Sequence, residues 1–212
     1  MFRTYIITIF LSLLTCMTSA QIYRNASIAE EKQINEKVSA NAISMKTMTC
    51  NFEQIKELSF LNDKSISKGL LFYKKPNKIR WEYKHPYSFI FIMNGEKVIL
   101  QSENNKNEIN LNSSKQFQQI SKIILGGVSG NGLTNSSDFH IFFYTSNEDY
   151  KLQLQPLKKE IKSLFSQINL FVNKGDGSIN KVEMIEKTGD KTIIRFLSMK
   201  RNMLLNDEVF SH

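Results

Sequence analysis

The sequence predicts a mainly β (α+β) fold, in which ten or eleven short strands form a large antiparallel sheet, sandwich or barrel. Between residues 47 and 199, short stretches of alternating apolar and polar residues are separated by turn signals such as Asn94-Gly95. This spacing is typical of antiparallel β structure. Helical periodicity is confined to two or three stretches, which are too few for a fold that follows each strand with a helix.

The composition indicates one globular domain. The chain has 212 residues, of which 41% are hydrophobic and 23% charged, which suits a single domain with a sizeable core. The net charge of +8 leaves three interpretations open: a solvated basic surface, a contact with an anionic membrane surface, or an acidic partner. No nucleic acid is expected as a partner, because the lysines are spread along the chain without a nucleic-acid-binding motif. We expect the domain to span residues 21–212.

Residues 1–20 are expected to be a secretory signal peptide. Arg3 precedes an apolar run from Tyr5 to Leu14, and small residues end at Ala20, ahead of the expected cleavage site. The alternative is lipid anchoring at Cys16, which follows a threonine where such signals prefer Gly, Ala or Ser. Cleavage after Ala20 leaves Cys50 as the single cysteine, so no internal disulfide is expected.

The first element of the domain is predicted to be an amphipathic helix over Ser27–Met48 that packs on the sheet. Ser27 and Glu30 have the spacing of a capping box. The apolar face of the helix is predicted to consist of Ile28, Ile34, Val38, Ile43 and Met45.

Period-two alternation and turn signals then predict ten or eleven strands, with Glu108–Leu111 as the optional eleventh. Ile79, Trp81 and Tyr83, for example, alternate with Arg80 and Glu82. The predicted strands are Thr47–Phe60, Ser65–Tyr73, Ile79–Tyr83, Ser88–Met93, Lys97–Ser102, Glu108–Leu111, Asp138–Thr145, Tyr150–Gln155, Leu164–Val172, Ile179–Glu186 and Lys191–Met199. A short tail ends at Val209-Phe210.

Two further helical stretches interrupt the strands. Asn112-Ser113-Ser114 is predicted to cap a helix over Lys115–Leu125, which ends at Gly126-Gly127. The glycine-rich residues Gly126–Ser137 are predicted to form a flexible loop. Pro156–Lys162 is predicted to be an irregular or short helical link.

The sequence contains none of the catalytic or metal-binding motifs that we searched for. The three histidines lack metal-site spacing, and there is no Gly-x-Ser-x-Gly elbow, cysteine pair or phosphate-binding loop that opens a helix. Cys50 alternates with apolar neighbours, which is typical of a buried structural thiol. We therefore predict no enzymatic activity, cofactor or metal.

Several predicted strands are apolar on both faces, as in Leu71–Tyr73, Phe89–Met93 and Ile141–Tyr144. A sheet of this kind must have both faces covered, or must close around something. Two interpretations remain open: an ordinary packed core, or a curved sheet whose helices plug a deformable cavity for an apolar ligand.

The chain resembles the LolA family of periplasmic outer-membrane lipoprotein carriers, in the form typical of Bacteroidetes. The resemblance covers nearly all of residues 21–212, and its most specific part is a Pro-Asn-x-x-x-Trp motif followed by Asn-Gly. The residues that carry it are Cys50-Asn51-Phe52-Glu53-Gln54, Gly69, Tyr73–Tyr83, Pro86, Asn94-Gly95, Gly177, the turn from Glu186 to Asp190, and Phe210.

The resemblance implies a monomeric half-barrel of about eleven antiparallel strands, closed by two or three helices that act as a lid. Such carriers accept acylated lipoproteins from an inner-membrane ABC exporter and deliver them to the outer membrane, hiding the acyl chains from water. By resemblance, the residues expected to bind acyl chains are Ile79, Trp81, Tyr83, Phe89, Phe91, Met93 and Phe72.

The resemblance also implies a latch that holds the lid. Studied members have an arginine immediately before the proline of the Pro-Asn turn, and this arginine is hydrogen-bonded to the lid helices. Lys75 occupies that position here and lacks the bidentate fork of an arginine. Arg80 is the second candidate for the latch.

Two functions remain open at this stage. The first is a shuttle that carries lipoproteins through the periplasm, and the second is a regulatory module that uses the same half-barrel to sense envelope lipids or lipoproteins. The shuttle is favoured because the sequence ends soon after the last predicted strand, without an additional domain. The sequence does not decide whether a dedicated outer-membrane acceptor exists.

Overall fold

The computed structural model describes residues 22–60, 63–111, 123–126, 128 and 137–211. Within them, twelve strands form one sheet in which every paired neighbour is antiparallel. They are β1 (Arg24–Asn25), β2 (Thr47–Leu58), β3 (Asp63–Lys74), β4 (Lys78–His85), β5 (Phe89–Asn94), β6 (Lys97–Ser102), β7 (Lys106–Asn110), β8 (Phe139–Thr145), β9 (Asp149–Pro156), β10 (Phe165–Asn173), β11 (Ile179–Glu186) and β12 (Lys191–Arg201).

The described helices are α1 (Ile28–Ser44), α2 (Lys159–Lys162) and a C-terminal 3-10 helix (Asp207–Phe210). Residues 123–126 and 128 are also helical, and we call them the inner helical segment. None of the described helices has both the length and the apolar character needed to cross a membrane.

The predicted fold class is confirmed. All eleven predicted strands are present, and Lys97–Ser102 and Ile179–Glu186 have the predicted bounds. The twelfth strand, β1, has only two residues, too few to show an alternating pattern. The predicted signal peptide, the start of the second predicted helix and most of the glycine-rich loop lie outside the described residues.

The sheet is curled but not closed. Its strand order is β1-β8-β9-β10-β11-β12-β2-β3-β4-β5-β6-β7. Nevertheless, one contiguous set of apolar side chains, which we call the inner cluster, includes a residue from each of the eleven strands β2 to β12. A flat sheet of this width cannot bring those side chains together, so the strands must bend around them. Representatives in strand order are Phe52, Leu71, Trp81, Met93, Val98, Ile109, Phe139, Leu152, Leu170, Val182 and Ile194.

Helix α1 begins with the predicted capping box. The Glu30 amide donates to Ser27 Oγ (3.4 Å), and the Ser27 amide donates to Glu30 Oε2 (2.8 Å). Arg24 also pairs with the Glu30 carboxylate (2.6 Å). The hydrogen bond from Arg24, followed by those from Ser27, lowers the pKa of Glu30 to about 2. The start of α1 is thereby tied to β1.

The predicted apolar face of α1 is correct only in part. Ile34 and Val38 are fully buried, and Met45, just beyond the helix, is 2% exposed. Ile28 and Ile43 are 88% and 73% exposed, so their assignment to this face was wrong. Ile43 follows Val38 by five residues, which rotates it roughly 140° around the helix.

The predicted end of the second helix was also wrong. Gly126 and Val128 are helical, so this helix does not stop at the glycine pair. Ile123 and Val128 are buried in the inner cluster, which shows that the apolar face continues past Gly126.

The outer face of the sheet has a cover that sequence patterns did not predict. Residues 203–211, the C-terminal strap, cross this face, and Phe210 is fully buried against it. Strap residues pack with sheet residues in an outer cluster consisting of Phe72, Ile90, Ile92, Ile99, Leu205, Val209 and Phe210. The strap explains why β3, β5 and β6 are apolar on both faces.

Candidate functional site

Aromatic side chains form the centre of the inner cluster. The ring centroid of Trp81 lies 5.2 Å from that of Phe52 and 6.3 Å from that of Phe196, and both pairs pack edge to face. Phe52 also meets Tyr83 edge-on at 5.0 Å. Edge-to-face packing of this kind adds roughly 0.5–1.5 kcal/mol per pair to the burial of the rings.

Gly69 makes this aromatic packing possible. A Cβ at this position would lie 1.9 Å from the backbone oxygen of Glu82 and 2.8 Å from Cε1 of Phe52. Only glycine therefore allows β4 and the Phe52 ring to approach β3 so closely.

A small apolar cavity lies beside Trp81, between the sheet and the inner helical segment. Its free volume is about 40 Å³, room for a few water molecules only, since one water needs roughly 10–15 Å³ of such volume. The lining residues are Trp81, Ile123, Ile124, Val128, Val182, Met184, Ile194 and Phe196. Of the lining residues that the structure describes, none carries a charge.

Five of the seven predicted acyl-contact residues lie in the inner cluster: Ile79, Trp81, Tyr83, Phe91 and Met93. Phe89 is half-buried at the far end of the same face, where its ring lies 6.1 Å from that of Tyr83. Burial raises the pKa of Tyr83 to about 12, so its hydroxyl stays neutral. It donates to Gln54 Oε1 at 2.9 Å.

Phe72 does not lie with the other six. It packs against the outer cluster beneath the C-terminal strap, because successive residues of a strand point to opposite faces. Its neighbours Leu71 and Tyr73 point inward. We therefore remove Phe72 from the candidate site.

Arg80 was likewise misassigned to the lid latch. It lies on the outer face of β4, where its Nε pairs with Glu82 (2.9 Å) and its Nη1 donates to the Val209 carbonyl (3.4 Å). Burial acts to raise the pKa of Glu82, but Lys84 and Arg80 hold it below its usual value. Arg80 thus helps to fix the strap, on the opposite side of the sheet from α1.

Lys75 lies where the resemblance implies a latch. Its Nζ donates to the carbonyls of Ala42 (3.4 Å) and Ile43 (3.3 Å), and its backbone amide donates to the Lys46 carbonyl (2.8 Å). Helix α1 has no basic residue in its own last turn. Lys75 therefore supplies the positive charge that favours the carbonyl end of a helix.

Two residues that sequence reasoning missed hold the same end of α1. Arg201 donates to Asn41 Oδ1 (2.7 Å) and to Asp176 Oδ2 (2.5 Å). Asn202 donates to the Ser44 carbonyl at 3.2 Å. Its φ of 56° is one that asparagine tolerates better than most residues, which is the only local signal that we find.

The turn between β10 and β11 lies directly against α1. Gly177 has a φ of 70°, and a Cβ there would lie 2.4 Å from the Lys37 carbonyl oxygen. Lys37 Nζ in turn donates to the Lys174 carbonyl. Glycine thus lets the turn support the middle of the helix.

The one cysteine among the described residues, Cys50, is buried in the inner cluster. Burial raises the pKa of the Cys50 thiol to about 12, so the nucleophilic thiolate is suppressed. Across the described ranges, no three His, Cys, Asp or Glu side chains come together in a group that could hold a metal ion. The described interior is therefore suited to binding by burial.

The comparisons with known proteins agree with this arrangement. Residues 43–212 match the family described as "Outer membrane lipoprotein carrier protein LolA". Two relatives are named outer-membrane lipoprotein carrier protein. The one from Pseudomonas paraeruginosa is 26% identical over 165 residues, covering 78% of this chain and 76% of its own length. The one from Legionella pneumophila is 24% identical over 168 residues, covering 79% of each.

The fold is also found in a solved structure. An uncharacterized conserved protein from Thermus thermophilus superposes with a TM-score of 0.51 at 10% identity, covering 86% of this chain and 94% of its own. Because the family match spans 170 residues (43 to 212) of 212, the chain belongs to the LolA family of outer membrane lipoprotein carrier proteins.

Proposed function

We propose that this protein carries lipoproteins by holding their acyl chains in the inner cluster, between the curled sheet and its helical cover. The observation that carries the proposal is the apolar cavity beside Trp81, which is lined by both the sheet and the inner helical segment. Each methylene group that moves from water into such an interior gains about 0.8 kcal/mol. No chemical step is needed.

The cavity must enlarge to hold a cargo. Its free volume of about 40 Å³ is well below the roughly 300–1,000 Å³ of typical ligand sites. In the proposed mechanism, this arrangement is the closed form of the carrier. When α1 and the inner helical segment move outward, acyl chains take the place of Ile34, Val38 and Ile123 against the sheet. One set of apolar contacts replaces another, so the affinity stays moderate and the cargo can be released.

Lys75, Arg201 and Asn202 act as the latch in this proposal. Their hydrogen bonds join the carbonyl end of α1 to the sheet and break when the helix moves. The bonds from Lys75 measure 3.3 and 3.4 Å, longer than the usual upper value of about 3.2 Å. Opening a latch of this kind requires little free energy.

We further propose that the carrier works in the periplasm as a monomer. The expected signal peptide would direct it there. An inner-membrane ABC exporter would supply the lipoproteins, and the outer membrane would receive them, with or without a dedicated acceptor protein.

The test starts with inner-membrane vesicles that contain a labelled lipoprotein. The purified protein is expected to move the label into the soluble fraction and then to outer-membrane vesicles. Failure to release any lipoprotein would remove the carrier function. Release without later delivery would favour the alternative of a lipoprotein-sensing module.

A matched pair of variants connects this transfer to the interior. Met184→Glu places a charge in the wall of the cavity, whereas Ile66→Glu places the same charge at a position that is 52% exposed. Circular dichroism first checks that both variants fold. Only Met184→Glu is expected to lose the ability to release lipoprotein from inner-membrane vesicles. Equal release by the two variants would show that the cavity has no part in the mechanism.

A further inference from the structure

The indole N–H of Trp81 is buried without a hydrogen-bond partner. Trp81 is 8% exposed, and within the described part of the chain no acceptor lies within hydrogen-bond distance of its Nε1. Buried tryptophan N–H groups usually have a partner, because leaving one unpaired is unfavourable. This residue therefore requires an explanation.

Among the described residues, the side chains around Trp81 are apolar and none of them is a strong hydrogen-bond acceptor. The indole forms part of the wall of the apolar cavity, and the other lining side chains are aliphatic or aromatic, or, for Met184, a thioether. A water molecule is poorly held in such a place, since buried waters need two to four polar partners. The cavity thus suits an occupant that is almost entirely apolar and carries one acceptor oxygen.

An acyl chain has this composition. Its only polar atoms are those of the carbonyl group that joins it to glycerol or to an amine. A free fatty acid also has a carbonyl, but its carboxylate would have to lose its hydration beside described lining residues that offer no counter-charge. An ester or amide carbonyl is neutral and accepts a hydrogen bond without that penalty.

We propose that Trp81 Nε1 donates a hydrogen bond to a neutral acyl carbonyl oxygen of the cargo. The inference rests on the proposed function and adds a feature to it. The hydrogen bond fixes how deeply the acyl chain enters the interior, with the carbonyl at Trp81 and the methylene groups along the inner face. It also makes the site prefer acyl chains over alkyl chains of the same length.

The test compares two lipids that differ only at the carbonyl: dioctanoylglycerol, an ester, and dioctylglycerol, the corresponding ether. Their dissociation constants are measured by displacement of a fluorescent lipid from the wild type and from Trp81→Phe, which keeps an aromatic ring but lacks the N–H. Phe196→Leu is the control, because it alters the same cavity wall without removing a donor. Octanoate is included as the charged acid.

The wild type is expected to prefer the ester by about 2- to 10-fold, the usual effect of one net hydrogen bond. The preference is expected to vanish in Trp81→Phe and to persist in Phe196→Leu, and octanoate is expected to bind more weakly than the ester. An equal preference in the wild type and Trp81→Phe would overturn the inference while leaving the proposed function intact. If neither glycerolipid displaced the probe from the wild type, the proposed function itself would fail.

A spectroscopic measurement tests the hydrogen bond directly. Trp81 is the only tryptophan in the chain, so a ¹H–¹⁵N spectrum contains a single indole signal. Its proton is expected to move downfield with dioctanoylglycerol and not with dioctylglycerol. Identical shifts with both lipids would show that the carbonyl does not reach Nε1.

Discussion

At the scale of single residues, Gly69 tests whether the aromatic centre depends on the close approach of β3 and β4. Gly69→Ala forces its Cβ against the Glu82 backbone oxygen, which cannot move without disturbing the strand pairing. Overpacking of this kind costs about 1–3 kcal/mol. Urea unfolding is expected to show that loss for Gly69→Ala.

Gly175→Ala is the matched control for this substitution. The nearest atom to a Cβ at Gly175 is Oδ1 of the Asn173 side chain, at 3.0 Å, and a small shift of this side chain is enough to accommodate the Cβ. A stability loss as large in Gly175→Ala as in Gly69→Ala would contradict the account of Gly69.

Lys75 tests the latch. Lys75→Met removes the charge from the carbonyl end of α1, an interaction worth about 0.3–1 kcal/mol. In Lys75→Met, the amides of α1 are expected to exchange faster with solvent deuterium, by a factor that corresponds to this free energy. In Lys75→Arg, the protection of these amides from exchange is expected to stay the same or to increase. Lys200→Met removes a charge from the exposed part of β12 and should leave α1 unchanged. Faster exchange in both methionine variants would show a general effect of charge.

The latch also shows how far residue-level prediction extended. Lys75 was predicted from the family's motif in the turn between β3 and β4, and its Nζ contacts the end of α1. Arg201 was missed because its partner Asn41 lies 160 residues away in the chain, and no local pattern encodes that contact. Phe72 was misassigned because it was not separated from its inward-pointing neighbours Leu71 and Tyr73. Arg80 was assigned to the latch although alternation already put it on the face of β4 opposite Ile79 and Trp81.

At the scale of elements, the turn between β10 and β11 determines how closely α1 packs. Gly177→Ala adds a Cβ that meets the Lys37 carbonyl and also strains a positive φ. Gly189→Ala imposes a similar backbone strain (φ of 91°), but its nearest contact is Ser59 Cβ at 3.4 Å. Both variants are expected to lose stability. Only Gly177→Ala is expected to show faster hydrogen exchange of the α1 amides and faster uptake of a fluorescent lipid. Equal behaviour of the two variants would contradict this role of the turn.

The C-terminal strap is expected to loosen in acid. Asp207 pairs with Lys74 (2.7 Å) and Lys78 (3.1 Å), and the hydrogen bonds from these lysines lower its pKa below the usual value. A carboxyl group whose folded pKa is lowered stabilises the folded state above its unfolded pKa, about 3.9, and loses this effect as the pH falls through its folded pKa.

Protection of strap amides from hydrogen exchange should therefore be constant between pH 7 and pH 5 and fall below about pH 4. Asp207→Asn is expected to lower the protection already at pH 7 and to remove the additional loss in acid. If the protection of strap amides in the wild type, divided by that in Asp207→Asn, were the same at every pH, the ion pairs would have no role in holding the strap.

Sequence patterns predicted the strands well and the strap not at all, for a physical reason. A strand that is buried on one face repeats every two residues, so its position can be read from the sequence. The strap is irregular before its 3-10 helix and has no period. The apolar pair Val209-Phe210, together with the second apolar face of β5, was the available signal.

At the scale of the whole molecule, the strand order depends on pairings that local patterns do not specify. β12 pairs with β2, and β1 pairs with β8, so strands that are distant in the chain become neighbours. The family resemblance supplied the half-barrel, where periodicity allowed a sheet, a sandwich or a barrel, but neither of these pairings was predicted. The size of the cavity could not be predicted either, because alternation shows which side chains are buried and not how tightly they pack.

The central claim is that acyl chains enter the inner face of the sheet and reach Trp81. The most direct measurement is the fluorescence of this single tryptophan during titration with a triacylated lipopeptide whose acyl chains carry bromine atoms, which quench indole emission on contact. The account predicts saturable quenching that an unbrominated lipopeptide reverses by competition. Binding of the brominated lipopeptide without any quenching of Trp81 would place the acyl chains elsewhere and contradict the account.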